Sequence, residues 1–281
     1  MNERSHERSH DGPDECPAAL PVPAMGAEEF AAAFADCIES KTDTALVVAV
    51  RVADAGVIDA EKLITSAERE EAARLRRDDD RRRFVIGRAA LRCLLARICA
   101  ENPADLVFTR NAFGKLEMAG VAHFNLSHSG AIVLVAMHAT RPIGVDVEAL
   151  PGPPDWRDLA KDHLAEAERT AISACSEADR PTAFLRAWTR KEAVAKAAGL
   201  GLSLPFASFS VDAVAGRWQA VAEVGGAQKH CYACLDLDLG ADHVGAVAVA
   251  GGTATCRAAA IPFDVLLSLH VAQPPSRCAD V

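Results

Sequence analysis

The sequence predicts an α+β protein built from two similar subdomains packed together. Three observations lead there. Apolar runs of strand length fall into two groups separated by helical segments. Each group reads strand, helices, strands. Each also has an apolar strand near its end, Ile132 to Ala136 in the first and Val244 to Val249 in the second.

The elements follow in order. Residues 1–44 mix Pro, Ala, Glu and Asp with little periodicity and read as a mobile N-terminal tail, with one short helix around Ala27 to Cys37. The first subdomain spans residues 45–140. It opens on the strand Ala45 to Val52, and Thr65-Ser-Ala-Glu68 then has the form of a capping box. A helix from about Asp80 to Ala100 aligns Phe84, Gly87, Leu91, Leu95 and Ile98 on one face. Leu106 to Thr109, a turn at Gly114 and Ala131 to Met137 complete this half.

The second subdomain, residues 141–256, starts with the strand Ile143 to Glu148. Helices are expected around Leu159 to Ala174 and Pro181 to Ala198. Strands return at Ser208 to Val214, Gln219 to Val224, His230 to Asp236 and Val244 to Ala250. Residues 257–281 form a C-terminal extension.

Composition narrows the function. Half of the 281 residues are apolar, and the mean hydropathy of +0.08 fits a soluble globular chain. No apolar run approaches the roughly 20 residues of a membrane helix, so no membrane role is expected. Met1 to Pro13 lacks the apolar centre of a secretory signal. Nine irregularly spaced cysteines argue against a disulfide framework and for a reducing cytoplasm. The net charge of −9 argues against a non-specific nucleic-acid binder. Basic residues instead cluster from Arg69 to Arg97, so an anionic ligand must be held by a few local cations.

Four segments can carry chemistry. In Gly144-Val-Asp146-Val-Glu148, strand alternation puts both carboxylates on one face, about 7 Å apart, where they can share a hard cation such as Mg²⁺. A solvated acidic face gives the same letters. In Trp188-Thr-Arg-Lys191-Glu192-Ala-Val-Ala-Lys196, the helical period sets Lys191 beside Phe184 and Trp188. Glu192 lies on the flank, Lys196 just beyond, and Arg186, Arg190 and Ala197 on the outer face. Charges beside a buried stripe need partners, and a snorkelling lysine is the plainer explanation. Phe124-Asn-Leu-Ser127-His128-Ser-Gly130 offers hydroxyl, imidazole and backbone donors to a phosphate, or is a polar turn. Arg110-Asn-Ala-Phe-Gly-Lys115 sets two cations around a glycine turn, which equally describes an exposed hairpin tip. Cys231-Tyr-Ala-Cys234 lacks a second ligand pair for zinc and reads as packed strand residues.

Taken together, Phe-Gly-Lys115, Phe-Asn-Leu-Ser-His128-Ser-Gly, Gly-Val-Asp146-Val-Glu148 and Trp188-Thr-Arg-Lys-Glu192-Ala-Val-Ala-Lys196 resemble the surfactin-type 4′-phosphopantetheinyl transferases. Arg83-Phe-Val-Ile-Gly-Arg88-Ala-Ala-Leu-Arg92 and Gly199-Leu-Gly-Leu-Ser-Leu-Pro205 are similar to that family as well. The likeness covers roughly residues 45 to 255. It implies a pseudo-twofold monomer with its site in the cleft between the halves, coenzyme A as donor, Mg²⁺, and an acyl or peptidyl carrier protein as acceptor. By that resemblance Asp146, Glu148 and Glu192 bind the metal. Lys196 lies near the pyrophosphate with Lys191 as its neighbour, and Glu192 and Lys196 serve catalysis. Ser127, His128, Arg110, Lys115 and, in one register of the arginine-rich helix, Arg83 hold the nucleotide phosphates. Glu168 matches a further acidic position only loosely. A coenzyme A phosphohydrolase and an inactive carrier-binding homologue are the competing expectations.

Overall fold

The structure, a computed structural model, describes residues 19–211, 219–224 and 230–271. The chain begins with a two-residue strand β1 (Leu20–Pro21) and helix α1 (Ala27–Phe34), which runs on as a wider turn, Ala35–Glu39. Then come β2 (Thr44–Arg51), α2 (Val57–Lys62), α3 (Ser66–Ala73) and α4 (Asp78–Cys99). A hairpin of β3 (Thr109–Arg110) and β4 (Leu116–Glu117) precedes β5 (His123–Ser129) and β6 (Ile132–His138). The second half holds β7 (Ile143–Ala149), α5 (Trp156–His163), α6 (Glu166–Ala174) and α7 (Arg180–Ala198). It continues with β8 (Gln219–Val224), β9 (His230–Asp238) and β10 (His243–Ala250), and β11 (Thr255–Ala260) and α8 (Phe263–Val271) close the chain.

The duplication expected from the element order is visible in the topology. In the first sheet β6 lies between β2 and β5; in the second β10 lies between β7 and β9, and all four pairings are antiparallel. Each half thus pairs its first strand with its last, and its last with its middle one. The two sheets stack face to face, and strand alternation decides which residues fill which layer. Along β2, Leu46, Val48 and Val50 pack toward α4, while Ala45, Val47 and Ala49 point between the sheets. Along β7, Ile143, Val145 and Val147 enter that same inter-sheet layer. Gly144, Asp146 and Glu148 therefore face the other way, toward α7. Both sheets are covered on both sides, which is why β2, β6 and β10 read as nearly unbroken apolar runs.

The ends depart from expectation. From residue 19 the segment read as a mobile tail is part of the folded body. Phe30, Phe34, Cys37 and Ile38 are buried in the core with α4 and β2. Their period was masked in the sequence by interleaved Ala and Glu. Residues 1–18 lie outside the described residues. The segment after Arg257 is also integrated: β11 runs parallel to β2, and Phe263 and Leu266 of α8 are buried in the same core. The helix expected over Leu159 to Ala174 breaks at Leu164-Ala165, where the Glu168 carboxylate accepts the Ala165 N–H at 2.9 Å and starts α6. Of the strand expected at Ser208 to Val214, Ser208 ends a 3₁₀ turn (Phe206–Ser208), residues 209–211 form no strand, and residues 212–214 lie outside the described residues. The capping box is present: Thr65 Oγ1 accepts from Glu68 N, and Glu68 Oε2 from Thr65 N.

If the N-terminal helix belongs to the core, Phe30→Ala lowers unfolding stability by about 3–5 kcal/mol, as for other buried aromatics. A urea melt showing less than about 1 kcal/mol of loss would mark the segment as peripheral.

Candidate active site

The site is built where α7 crosses β7. A Cβ on Gly144 would stand 2.0 Å from Ala193 O and 2.4 Å from Ala197 N, so only glycine lets the helix backbone lie directly on the strand. That contact sets α7 over the polar face of β7. Lys196 then reaches Asp146, its Nζ 2.6 Å from Oδ1. Glu192, one turn earlier on α7, is close enough to Asp146 and Glu148 to feel their charge.

Besides the apolar layer between the sheets, the two halves meet along the free edges of β5 and β7, through side chains rather than a backbone ladder. Alternation turns Asn125, Ser127 and Ser129 of β5 toward β7. Asn125 Oδ1 accepts from Val145 N at 3.0 Å, Ser127 Oγ donates to Asp146 Oδ1 at 2.8 Å, and Ser129 Oγ donates to Glu148 Oε2 at 3.1 Å while accepting from Ala149 N. Lys115 adds a staple from the β3–β4 hairpin. Its Nζ donates to Lys196 O at 2.7 Å and Ile143 O at 3.0 Å, placing a cation on the negative end of α7. Beside it Asn111 Nδ2 donates to Gly199 O.

The carboxylates crowd one another. Asp146 is buried, and its Oδ2 has no hydrogen-bond partner among the described residues. Burial, then the negative charge of Asp146, raises Glu148 above the usual carboxylate range. Burial pushes Glu192 up to about 7; Lys196 opposes this, and Asp146 and Glu148 add to it. Such a set has the oxygen chemistry a hard divalent cation takes. It is not a preassembled cage: among the described residues no three Asp, Glu, His or Cys side chains are gathered at ligating distance. The Lys196 ammonium sits on Asp146 instead.

Next to this cluster lies a pocket of about 260 Å³, with Arg88, Arg110, Lys115 and Lys196 in its wall. Arg110 is tied to Glu71 at 3.1 Å. On the neighbouring rim Arg83 donates to Gly130 O at 3.0 Å and pairs with Asp80. Loss of water around the ring, then the charges of Arg83 and Lys196, lowers the His128 imidazole below its ordinary value. The wall of this pocket is therefore cationic, and Lys196 belongs both to it and to the acid cluster.

The comparisons with known proteins fit this geometry. The model of the 4′-phosphopantetheinyl transferase superfamily matches residues 142–248, the span that holds β7, α7 and β10. A phosphopantetheinyl transferase of Thraustochytrium sp. is 30% identical over 199 residues, 65% of this chain and 68% of that protein. The chain belongs to the phosphopantetheinyl transferase family. Two Bacillus subtilis members of it, a 4′-phosphopantetheinyl transferase and the 4′-phosphopantetheinyl transferase Sfp, are 34% and 32% identical over 150 residues. Those alignments cover 53% of this chain and 66% of each relative.

In this family member the residues singled out by sequence do not all come together. Asp146, Glu148, Glu192, Lys196 and Ser127 form one cluster, and Arg83 and His128 adjoin it. Arg110 and Lys115 line the pocket, although two of the three Lys115 donors are spent on backbone carbonyls. Lys191 is a correction. It is fully buried, 2.9 Å from Glu168 and hydrogen-bonded to the carbonyls of Phe206 and Phe209, so its ammonium has no donor left for a phosphate. Glu168, only loosely matched by sequence, is the acid that completes this buried pair and also accepts from Val211 N at 2.6 Å. Arg190 is a second correction. It is not on an outer face but buried against Asp236 of β9, with Nε 2.6 Å from Oδ1. Sequence reasoning passed over Asn125 and Ser129, whose signal was the period-2 polar alternation of β5.

Two outcomes follow from these placements. Lys191→Met strands the buried Glu168 carboxylate and costs about 3–5 kcal/mol of stability; a loss below about 1 kcal/mol in a urea melt would mean that the pair does not hold Lys191 in the core. Burial lowers Lys115 to about 8, so between there and its unfolded value the unfolded chain binds the extra proton and stability rises with pH. The stability difference between wild type and Lys115→Met therefore grows in favour of wild type from about pH 8 to about pH 10.5. A flat difference in chemical denaturation across that range would mean the ammonium is solvated.

Proposed function

We propose that the chain transfers the 4′-phosphopantetheine arm of coenzyme A to a serine of an acyl or peptidyl carrier protein. The observation that carries this reading is the junction of an acid cluster with a cationic pocket across the β5–β7 seam. A ligand with a pyrophosphate and a second, separate phosphate has the charge pattern such a junction accepts. Among the described residues no helix is long and apolar enough to cross a membrane.

Asp146, Glu148 and Glu192 are the residues that would hold Mg²⁺. The unpartnered Oδ2 of Asp146 and the mutual repulsion of the three acids support that fit. A bound divalent ion would supply Lewis-acid stabilisation of charge on the pyrophosphate oxygens. In the transfer the serine oxygen forms a bond to the β-phosphorus, and the bond from that phosphorus to the oxygen of departing adenosine 3′,5′-bisphosphate breaks. Lys196 stands beside Asp146 to balance charge on the leaving phosphate. Glu192 accepts the serine proton, directly or through one water. His128, Arg83, Arg110 and the remaining Lys115 donor hold the nucleotide end. Positioning and charge neutralisation do most of the work in such a displacement.

Incubating the protein with coenzyme A, Mg²⁺ and an apo carrier protein gives a carrier whose serine gains the mass of one arm, and chelation of the metal stops it. Free phosphopantetheine without carrier modification would mean hydrolysis and sink the reading. Glu192→Gln abolishes transfer while coenzyme A still binds. Near-normal turnover in that variant removes Glu192 from the mechanism.

A further inference from the structure

The turn between β5 and β6, residues 129–131, rests on the second half of the molecule at the end of β7. Its backbone groups can be accounted for one by one. From the first half, Arg83 donates to Gly130 O at 3.0 Å and Val52 N donates to Ala131 O at 2.9 Å. Toward the second half, Ala131 N donates to Nε2 of His243 at 3.4 Å. Protonated, the imidazole has the Ser129 backbone to donate to instead. The ring therefore has a partner in the turn in either state.

The packing is as close as the polar contacts. His243 opens β10 directly opposite Ala149 of β7. Gly130 takes a φ of +53°, a conformation that favours glycine. A Cβ there would stand 2.7 Å from His243 Nε2 and 2.8 Å from the Ala149 Cβ. The turn backbone is thus seated on that imidazole and that methyl group. What the turn carries is Ser129, which donates to Glu148 Oε2 at 3.1 Å and accepts from Ala149 N at 3.0 Å. Both contacts hold only while the turn stays down.

We propose that His243 is a positioning residue: it holds the β5–β6 turn against the second sheet and thereby keeps Ser129 on the Glu148 carboxylate. Burial and the charge of Asp146 work against the ionised form of Glu148, and the Ser129 hydroxyl works for it. A carboxylate that is to meet a cation must be both charged and aimed, and a hydrogen bond from behind serves both ends. The consequence for a metal rests on the reading of Glu148 as a ligand, whereas the grip on the turn stands on the contacts alone. The competing explanation is that His243 only fills the space beneath Gly130.

Two measurements on the intact protein separate these. Mn²⁺, a hard cation that takes the same oxygen ligands as Mg²⁺, is titrated by electron paramagnetic resonance with and without coenzyme A. Amide hydrogen exchange at Ala149 reads the turn, since that N–H donates to Ser129 Oγ. His243→Ala weakens Mn²⁺ binding about 10-fold, the lower end of the cost of losing a partner behind a ligand, and speeds Ala149 exchange by a similar factor. His243→Gln, whose amide reaches the position of Nε2, restores most of both. His243→Leu, which fills the space without the nitrogen, restores neither. A folded His243→Ala protein with wild-type Mn²⁺ affinity, or with Ala149 as protected as in wild type, overturns the proposal. Full recovery in His243→Leu overturns it too. If His243→Ala does not fold, the leucine and glutamine variants carry the same comparison. A wild-type protein that binds no Mn²⁺, with or without coenzyme A, defeats the metal reading, and the grip on the turn is then decided by Ala149 exchange.

Discussion

Everything in the site depends on how closely α7 lies on β7. With any side chain at position 144, the helix carbonyl of Ala193 and the amide of Ala197 would have to retreat. Glu192 and Lys196 ride on that helix. Their approach to Asp146 and Glu148 is therefore permitted by one missing Cβ, and the Lys196–Asp146 ion pair then fixes Lys196 in place. The acids themselves repel: beyond burial, the charges of Asp146 and Glu148 raise Glu192, and Lys196 opposes them. Stability is supplied elsewhere, by the apolar layers on both sides of both sheets, and the site draws on it.

The β5–β7 seam is the second constraint. Two sheets that met edge to edge through a regular ladder would merge, and no cleft would remain. Short side chains at Asn125, Ser127 and Ser129 satisfy the β7 edge while keeping the strands farther apart than backbone pairing allows. The acids of β7 are thereby kept at the boundary between the halves. The hydroxyls that bridge the gap also touch the carboxylates, so the same atoms that hold the halves together orient the site.

Much of this was legible in the sequence, and the parts that were not share a physical reason. Asp146 and Glu148 could be placed on one face because strands alternate strictly, and Gly144 fell on that face with them. The α7 motif misled at Lys191 and Arg190. A helical wheel assigns faces on the assumption that one side meets solvent, and α7 is enclosed by β7, β10 and the 3₁₀ turns after it. A buried cation then signals a distant acid, here Glu168 and Asp236, which no local pattern names. The termini were misread for the opposite reason. The N-terminal helix hides Phe30, Phe34 and Cys37 among alanines, and β11 becomes recognisable only once β2 offers it a parallel edge.

The chain does not keep its two halves to themselves. β1 joins the second sheet beside β9, whereas β11 and α8 cross back to complete the first. Met25 N and Pro23 O meanwhile bond to Ala260, lacing the start of the described chain to its far end. Each lobe therefore owns a piece of the other's sequence. A protease cut in the linker at Thr140 would release no self-sufficient lobe: the fragments would stay interlocked, and either one made alone would be missing an edge that its partner fragment carries.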